Sequence, residues 1–86
     1  MSCPSIAGSV VTSGIDGTAA HIHIGKKGEN GPVVIPLEKG DANVWVVPAL
    51  TFLQDNQYAA YLDGELYVNV HSAAYPNGEV RAQLRP

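Results

Sequence analysis

The chain has 86 residues, of which 45% are hydrophobic and 15% charged, and five basic against eight acidic residues give it a formal net charge of −3. A chain of this length is expected to form a single domain over residues 1–86. The acidic balance argues against nucleic-acid binding, because neutralising phosphates needs a basic surface, and no apolar run reaches the roughly 20 residues that a membrane-spanning helix requires.

The amino-terminal end carries few structural signals. Cys3 is the one cysteine, so an internal disulfide is excluded, whereas the compartment stays open. We expect residues 1–4 to be a flexible terminus or a remnant left after an export signal was removed, since the chain shows no such signal itself. Cys3 is then an incidental thiol, and a lipid-attachment site is the alternative.

The alternation of apolar and polar residues predicts several short strands. Nine glycines and six prolines punctuate the sequence, which is typical of strands joined by turns. Strands are predicted over residues 5–12, 18–24, 32–37, 43–47, 65–72 and 79–85. Pro36 puts the third of them at a sheet edge or a bulge, because proline cannot donate a hydrogen bond to the ladder. Trp45 and Phe52 are expected in the core. Segment 25–31 is glycine-rich but lacks the spacing of a phosphate-binding loop, so it is predicted to be a link between strands.

One segment changes to a helical period. Residues 51–54 match a capping box, apolar residues at 58, 61 and 62 follow helical spacing, and Asp63 with Gly64 supplies a stop. We therefore predict one short helix within residues 54–62. Short strands with a single helix indicate an all-β fold, either a small antiparallel sandwich or a barrel.

Three histidines carry most of the chemical content of the sequence. His21 and His23 are two residues apart on a predicted strand, so their side chains leave the same face with Cβ atoms about 6.5–7 Å apart. The apolar residues that alternate with them are expected to face the core, so the histidines face the polar side. His71 obeys the same rule on its own strand. The three imidazoles are therefore candidates for one metal site, and unliganded surface histidines are the alternative.

The last predicted strand brings a cation to the same face. If its apolar residues pack in one layer with those of the preceding strand, Glu79 and Arg81 share the face of His71. Arg81 would then stand near a bound metal and attract an anionic substrate; a solvated arginine paired with an acid is the alternative. Tyr67 and Asn69 lie on this face as candidate partners of the ligands, and Glu79 could orient an imidazole.

Four stretches carry a resemblance to a known family. They are Ala20-His21-Ile22-His23-Ile24-Gly25, Gly28-Glu29-Asn30-Gly31-Pro32-Val33-Val34, Gly64-Glu65-Leu66-Tyr67-Val68-Asn69-Val70-His71-Ser72 and Pro76-Asn77-Gly78-Glu79-Val80-Arg81. In combination they resemble the CHRD domain family, the module named from chordin, over about Thr18 to Leu84. Ala82 departs from the pattern, because the family commonly has glycine after the arginine.

The resemblance implies an all-β, Greek-key-like fold that usually lies outside the cytoplasm. We therefore expect an extracytoplasmic protein, whether secreted, periplasmic or lipid-anchored. The resemblance also carries over His21, His23 and His71 as motif residues. In chordin-like proteins the module belongs to multidomain proteins that bind partners, whereas for a single-domain microbial version a metal centre is the simplest hypothesis.

Three imidazoles suit copper, with zinc as the alternative, and the intrinsic affinity order favours Cu(II). A His-x-His strand with a later histidine on a Greek-key fold looks like the copper half of copper–zinc superoxide dismutase, an analogy of arrangement alone. The first hypothesis is a mononuclear copper site held by His21, His23 and His71 with an open position. Such a site could dismutate superoxide, a small anion that Arg81 would steer.

Other functions fit the same residues. A copper carrier or store would bind copper without turnover. An interaction or adhesion domain would bind no stoichiometric metal, and its folding would not respond to chelators. A three-histidine zinc hydrolase would be redox-silent. No pattern in the sequence indicates an oligomeric state.

Overall fold

The structure, a computed structural model, describes residues 4–41, 43–78 and 80–86. Within these ranges the chain forms nine strands and one helix. In chain order they are β1 (Ser5–Ile6), β2 (Ser9–Val11), β3 (Gly17–Ile24), β4 (Val33–Pro36), β5 (Glu38–Lys39), β6 (Val44–Val46), β7 (Thr51–Phe52), α1 (Asp55–Leu62), β8 (Leu66–Ser72) and β9 (Val80–Gln83).

The strands form three antiparallel sheets. The largest has four strands in the order β4-β3-β8-β9, a second has the order β2-β6-β5, and β1 pairs with β7 alone. The predicted all-β fold with one short helix is confirmed, and because the sheets do not close on themselves the barrel alternative is wrong. The two longest strands, β3 and β8, are neighbours at the centre of the four-stranded sheet.

The core lies on one face of the four-stranded sheet. Its buried members are Ala20, Ile22, Ile35, Leu37, Trp45, Leu53, Ala60, Leu66, Val68 and Val70. Trp45 reaches this layer from β6, and its ring lies so close to Gly17 that a Cβ there would come within 3.0 Å of it. Burying each large apolar side chain contributes about 1.5–3 kcal/mol, so this layer provides most of the stability of the domain.

The predicted strands have the alternation of side chains seen in the structure, but some of them differ from the observed strands in where they begin and end. The first predicted strand is interrupted at Ala7 and Gly8, so β1 and β2 join different sheets. Strands β5 and β7, each of two residues, were not predicted. Phe52 was predicted in the core, which is wrong: it lies in β7, which pairs only with the short strand β1, and is 54% exposed.

The helix and the sheet edges follow the sequence closely. Helix α1 ends at the predicted stop, but its capping box joins Gln54 and Gln57, so the predicted box at residues 51–54 is three residues early. Pro36 lies in the edge strand β4, as predicted. No helix in the described ranges is long and apolar enough to cross a membrane.

The alternation predicted for the last strand is confirmed. Val68 opposes Ala82 and Asn69 opposes Arg81, so Arg81 shares the face of Asn69. Val80 takes the apolar side but is 41% exposed, because β9 is the edge strand of its sheet. Glu79 lies outside the described residues.

Candidate metal centre

The second face of the four-stranded sheet carries the histidines. Strands β3 and β8 pair with His21 opposite Asn69, His23 opposite Tyr67 and Ala19 opposite His71. Since residues in register share a face, all three imidazoles stand on the side away from the core. Their ring centroids are 5.0, 5.8 and 6.5 Å apart, so the structure brings the three together.

Two of the imidazoles already have the spacing of ligands on one ion. His21 Nδ1 and His71 Nε2 are 3.1 Å apart. Nitrogens bound 2.0–2.1 Å from one ion, at angles of 90–110°, would be about 2.8–3.4 Å apart. One ligand nitrogen from each of the three histidines lies within 4.8 Å of the others, so the cluster could hold a metal ion once these nitrogens move slightly closer together.

Backbone carbonyls fix the orientation of two rings. His71 Nδ1 lies 2.9 Å from the carbonyl oxygen of Pro76, and His23 Nδ1 lies 2.8 Å from that of Gly31. A carbonyl only accepts hydrogen bonds, so each Nδ1 carries the hydrogen and donates it, which leaves Nε2 as the ligand atom. Metal-binding histidines almost always make such a hydrogen bond through the nitrogen that does not bind the ion.

The loop of residues 25–32, which joins β3 to β4, covers one end of the cluster. It buries His23 to 8% exposure and Tyr67 to 2%, and the Gly31 N–H donates to the Tyr67 hydroxyl at 2.9 Å. The rings of His23 and Tyr67 stack with centroids 4.8 Å apart and planes 4° apart. His21 and His71 are half-buried. The site is therefore closed at His23 and accessible at the other two histidines.

Gly31 is the residue on which this cover depends. Its backbone lies against the Ile24 carbonyl group, and a Cβ at Gly31 would overlap with that oxygen. Any side chain there must push the loop away from the sheet and from His23. The residue types of this segment predict only a link between strands, and they do not indicate that the Gly31 carbonyl, or the Pro76 carbonyl between β8 and β9, contacts a histidine. Glycine at both ends of the segment was the available signal, because glycine allows backbones to approach closely.

Arg81 lies on the predicted face but is engaged with the loop and Tyr67. Its guanidinium carbon is 3.5 Å from the centroid of the Tyr67 ring, and Nη2 donates to the Lys26 carbonyl oxygen at 2.8 Å. Gln83 supports the loop from the same strand by donating to the Gly25 carbonyl oxygen at 2.9 Å. A role for Arg81 in attracting substrate stays a prediction, and its contacts here hold the loop against the sheet.

Asn69 makes the second polar contact to His23. Its Oδ1 lies 2.9 Å from His23 Nε2, and its side chain is 8% exposed. The predicted partners of the histidines, Tyr67 and Asn69, thus both contact His23. Every fully buried side-chain nitrogen and oxygen in the described ranges has a hydrogen-bond partner, so the metal-free protein satisfies its own polar groups.

The electrostatics of the cluster favour neutral imidazole at His21. Partial burial lowers the pKa of His21 from the ordinary 6.5, and the neighbouring charges of His71 and His23 lower it further. A metal ion binds the neutral form, so this shift reduces competition from protons near neutral pH. Three neutral imidazoles are a donor set that suits copper or zinc.

Comparison with known proteins identifies the family. The CHRD domain model matches residues 2–84, which is nearly the whole chain. No curated protein and no solved structure matches it. The match spans every strand and both chain segments that carry the histidines, and therefore the chain belongs to the CHRD domain family.

Proposed function

We propose that this CHRD domain binds one metal ion through His21 Nδ1, His23 Nε2 and His71 Nε2. The observation that carries the proposal is the 3.1 Å spacing between His21 and His71. It is supported by the carbonyls that hold the ring hydrogens of His23 and His71 on Nδ1. Two rings oriented in this way lose little conformational freedom when they bind an ion.

We propose copper as the physiological metal, with zinc as the alternative. Cu(II) exceeds Zn(II) in intrinsic affinity for nitrogen ligands. Bound copper would supply one-electron redox chemistry, which zinc lacks. CHRD domains are generally extracellular, and we propose an extracytoplasmic location for this one.

The finer proposal is dismutation of superoxide. It is supported by an accessible side at His21 and His71 next to a closed side at His23, which leaves room for a small ligand while one ring stays fixed. Arg81, with Lys26 and Lys27 in the covering loop, provides positive charge on the same face for an anion to approach. Tyr67 keeps the His23 ring in position by stacking on it, and the Gly31 carbonyl holds its Nδ1.

A copper carrier without turnover is the second candidate. It is favoured by the engagement of Arg81, whose guanidinium lies on Tyr67 and donates to a loop carbonyl. Superoxide loss measured by pulse radiolysis separates the two functions. A dismutase loses rate in Arg81→Gln, and its rate falls as ionic strength rises. A carrier holds one copper per chain and catalyses no loss.

The metal site itself is tested by titrating metal-free protein with Cu(II) and recording electron paramagnetic resonance. We expect one copper per chain with hyperfine splitting from three nitrogens. The single variants His21→Ala, His23→Ala and His71→Ala should each lose at least about tenfold in affinity, since each removes one of three ligands, a larger change than the loss of an orienting partner.

The matched control is Asn56→Ala, which alters an exposed residue of α1 and should bind copper like the parent. If all three histidine variants also bind copper like the parent, the proposed site is wrong. If the parent binds no copper and its thermal unfolding does not respond to a chelator, an interaction domain without metal is the better interpretation.

A further inference from the structure

We propose that Asn69 competes with the metal ion for His23, so that the ion binds His21 and His71 first and gains its third ligand when the Asn69 amide turns away. The inference rests on the proposed metal site and adds to it an order of binding. It comes from a difference among the three imidazoles in the hydrogen bonds that they already make.

The Nε2 atom of His23 has no free lone pair in the described structure. Nδ1 is committed to the Gly31 carbonyl at 2.8 Å, so only Nε2 could bind an ion, and Nε2 lies 2.9 Å from the Asn69 amide. If the amide oxygen faces Nε2, that nitrogen carries a proton. If the amide nitrogen faces it, the lone pair accepts an N–H. In both orientations the contact with Asn69 must break before a metal binds.

The ligand nitrogens of His21 and His71 make different contacts from that of His23. Their facing nitrogens contact each other at 3.1 Å, and both rings are half-buried, so an ion from solvent can reach them. His71 is fixed through Pro76 on its far nitrogen, which leaves the near one for the ion. Binding here replaces one contact between two ligands and needs no change in the covering loop.

The surroundings of Asn69 allow its amide to turn. Gly78 lies beside the Asn69 amide and has no side chain. A Cβ at position 78 would lie 3.2 Å from Asn69 Nδ2, so a residue larger than glycine would confine the amide. On the neighbouring strand Arg81 stands opposite Asn69 in the register. His23 is more constrained, because Tyr67 stacks on its ring and Gly31 holds Nδ1. The amide is therefore the group that moves.

The contact with Asn69 stabilises the metal-free protein and is lost when metal binds. Removing it should weaken the metal-free fold and tighten metal binding by the same factor, about three- to tenfold for a net hydrogen bond of ordinary strength. A residue that only orients a ligand behaves in the opposite way, because its removal weakens binding. The sign of the change therefore identifies the role of Asn69 as a competitor.

The experiment measures Zn(II) and Cu(II) affinity, by competition with a chelator, for the parent, for Asn69→Leu and for the control Asn56→Leu in the exposed part of α1. Leucine has the branched shape and the same number of side-chain heavy atoms as asparagine, but no group that can make a hydrogen bond. We expect Asn69→Leu to bind both ions about three- to tenfold more tightly and to unfold at lower urea without metal, while the control matches the parent. Equal or weaker binding by Asn69→Leu overturns the inference.

A second measurement needs no variant. In the parent, the side-chain amide resonances of Asn69 should shift when one equivalent of diamagnetic Zn(II) is added, whereas those of Asn56 should not. Unchanged Asn69 resonances in a protein with three bound imidazoles overturn the inference and leave the proposed site standing. A parent that binds neither ion overturns both.

Discussion

The two faces of strand β8 are buried by different means, although they alternate along the same seven residues. Leu66, Val68 and Val70 belong to the core, together with Trp45 of the second sheet and Ala60 of α1. Tyr67 and Asn69 are as fully buried on the opposite face. That face is covered by the loop of residues 25–32, which is held through hydrogen bonds to its backbone, and by Arg81, which lies on the Tyr67 ring.

The difference separates what stabilises the fold from what shapes the site. Apolar burial is non-directional and tolerates small shifts of position, whereas a hydrogen bond weakens steeply when its geometry is lost. The core face should therefore control stability, and the histidine face should control metal affinity. Substitutions on the two faces of this strand test whether stability and metal affinity are controlled separately.

The largest effect is expected on the core face. Leu66 is completely buried, so Leu66→Ala should lower the free energy of unfolding by about 2–5 kcal/mol through lost transfer energy and the cavity left behind. Copper affinity of the folded fraction should stay that of the parent. Urea unfolding measures the first quantity and chelator competition the second. The control is Leu62→Ala at an exposed helix position. Copper binding weakened in step with stability would show that the faces are not separable.

The next effect is expected at the loop that covers the histidine face. Gly31→Ala introduces a Cβ that overlaps with the Ile24 carbonyl, so the loop must shift and His23 loses its acceptor. We expect copper affinity to fall about 10- to 100-fold, as for other lost partners of ligand histidines. Titration followed by electron paramagnetic resonance measures it.

Gly40→Ala is the matched control for the loop substitution. Its Cβ would meet Val44 at an ordinary 3.5 Å, and we expect copper binding like the parent. Copper affinity that is unchanged in Gly31→Ala would contradict the role assigned to the Gly31 carbonyl.

The smallest effect is a pH dependence of the metal-free protein. The pKa of His21 is lowered on folding, chiefly by burial, so near pH 6 the unfolded chain binds more protons there than the folded chain. The free energy of unfolding should therefore fall as the pH drops through about 6.5, and this decline should end below the folded-state pKa. Urea unfolding at pH about 7.5 and about 5.5 measures it, and His21→Gln should show a smaller decline. An equal decline in both proteins would refute the assignment.

The sequence predicted the all-β fold class and which side chains share a face of a strand, because both follow from the local alternation of apolar and polar residues. Alternation assigned His21, His23 and His71 to polar faces, and the structure brings them together on one sheet. Phe52 shows the limit of this reasoning. An aromatic residue among apolar neighbours suggests the core, but β7 pairs only with β1, so its side chain stays exposed.

The covering loop shows a second limit. Residues 25–31 contact the histidines and Tyr67 through their backbone and not through their side chains. The carbonyl of Gly31 and that of Pro76 act on the histidines because the chain turns back over the sheet. Such contacts join residues through space, and no pattern of residue types along the chain specifies them.

Local sequence patterns established which residues alternate, where the turns fall, and that His21 and His23 leave the same face of one strand. The packing of distant segments established that β3 and β8 are neighbours, that His21 contacts His71, and that Asn69 contacts the buried ring of His23. The alternation of apolar and polar residues over a few positions determines which side chains leave each face of a strand. The strand's partner and register depend instead on packing between segments about 50 residues apart in the chain.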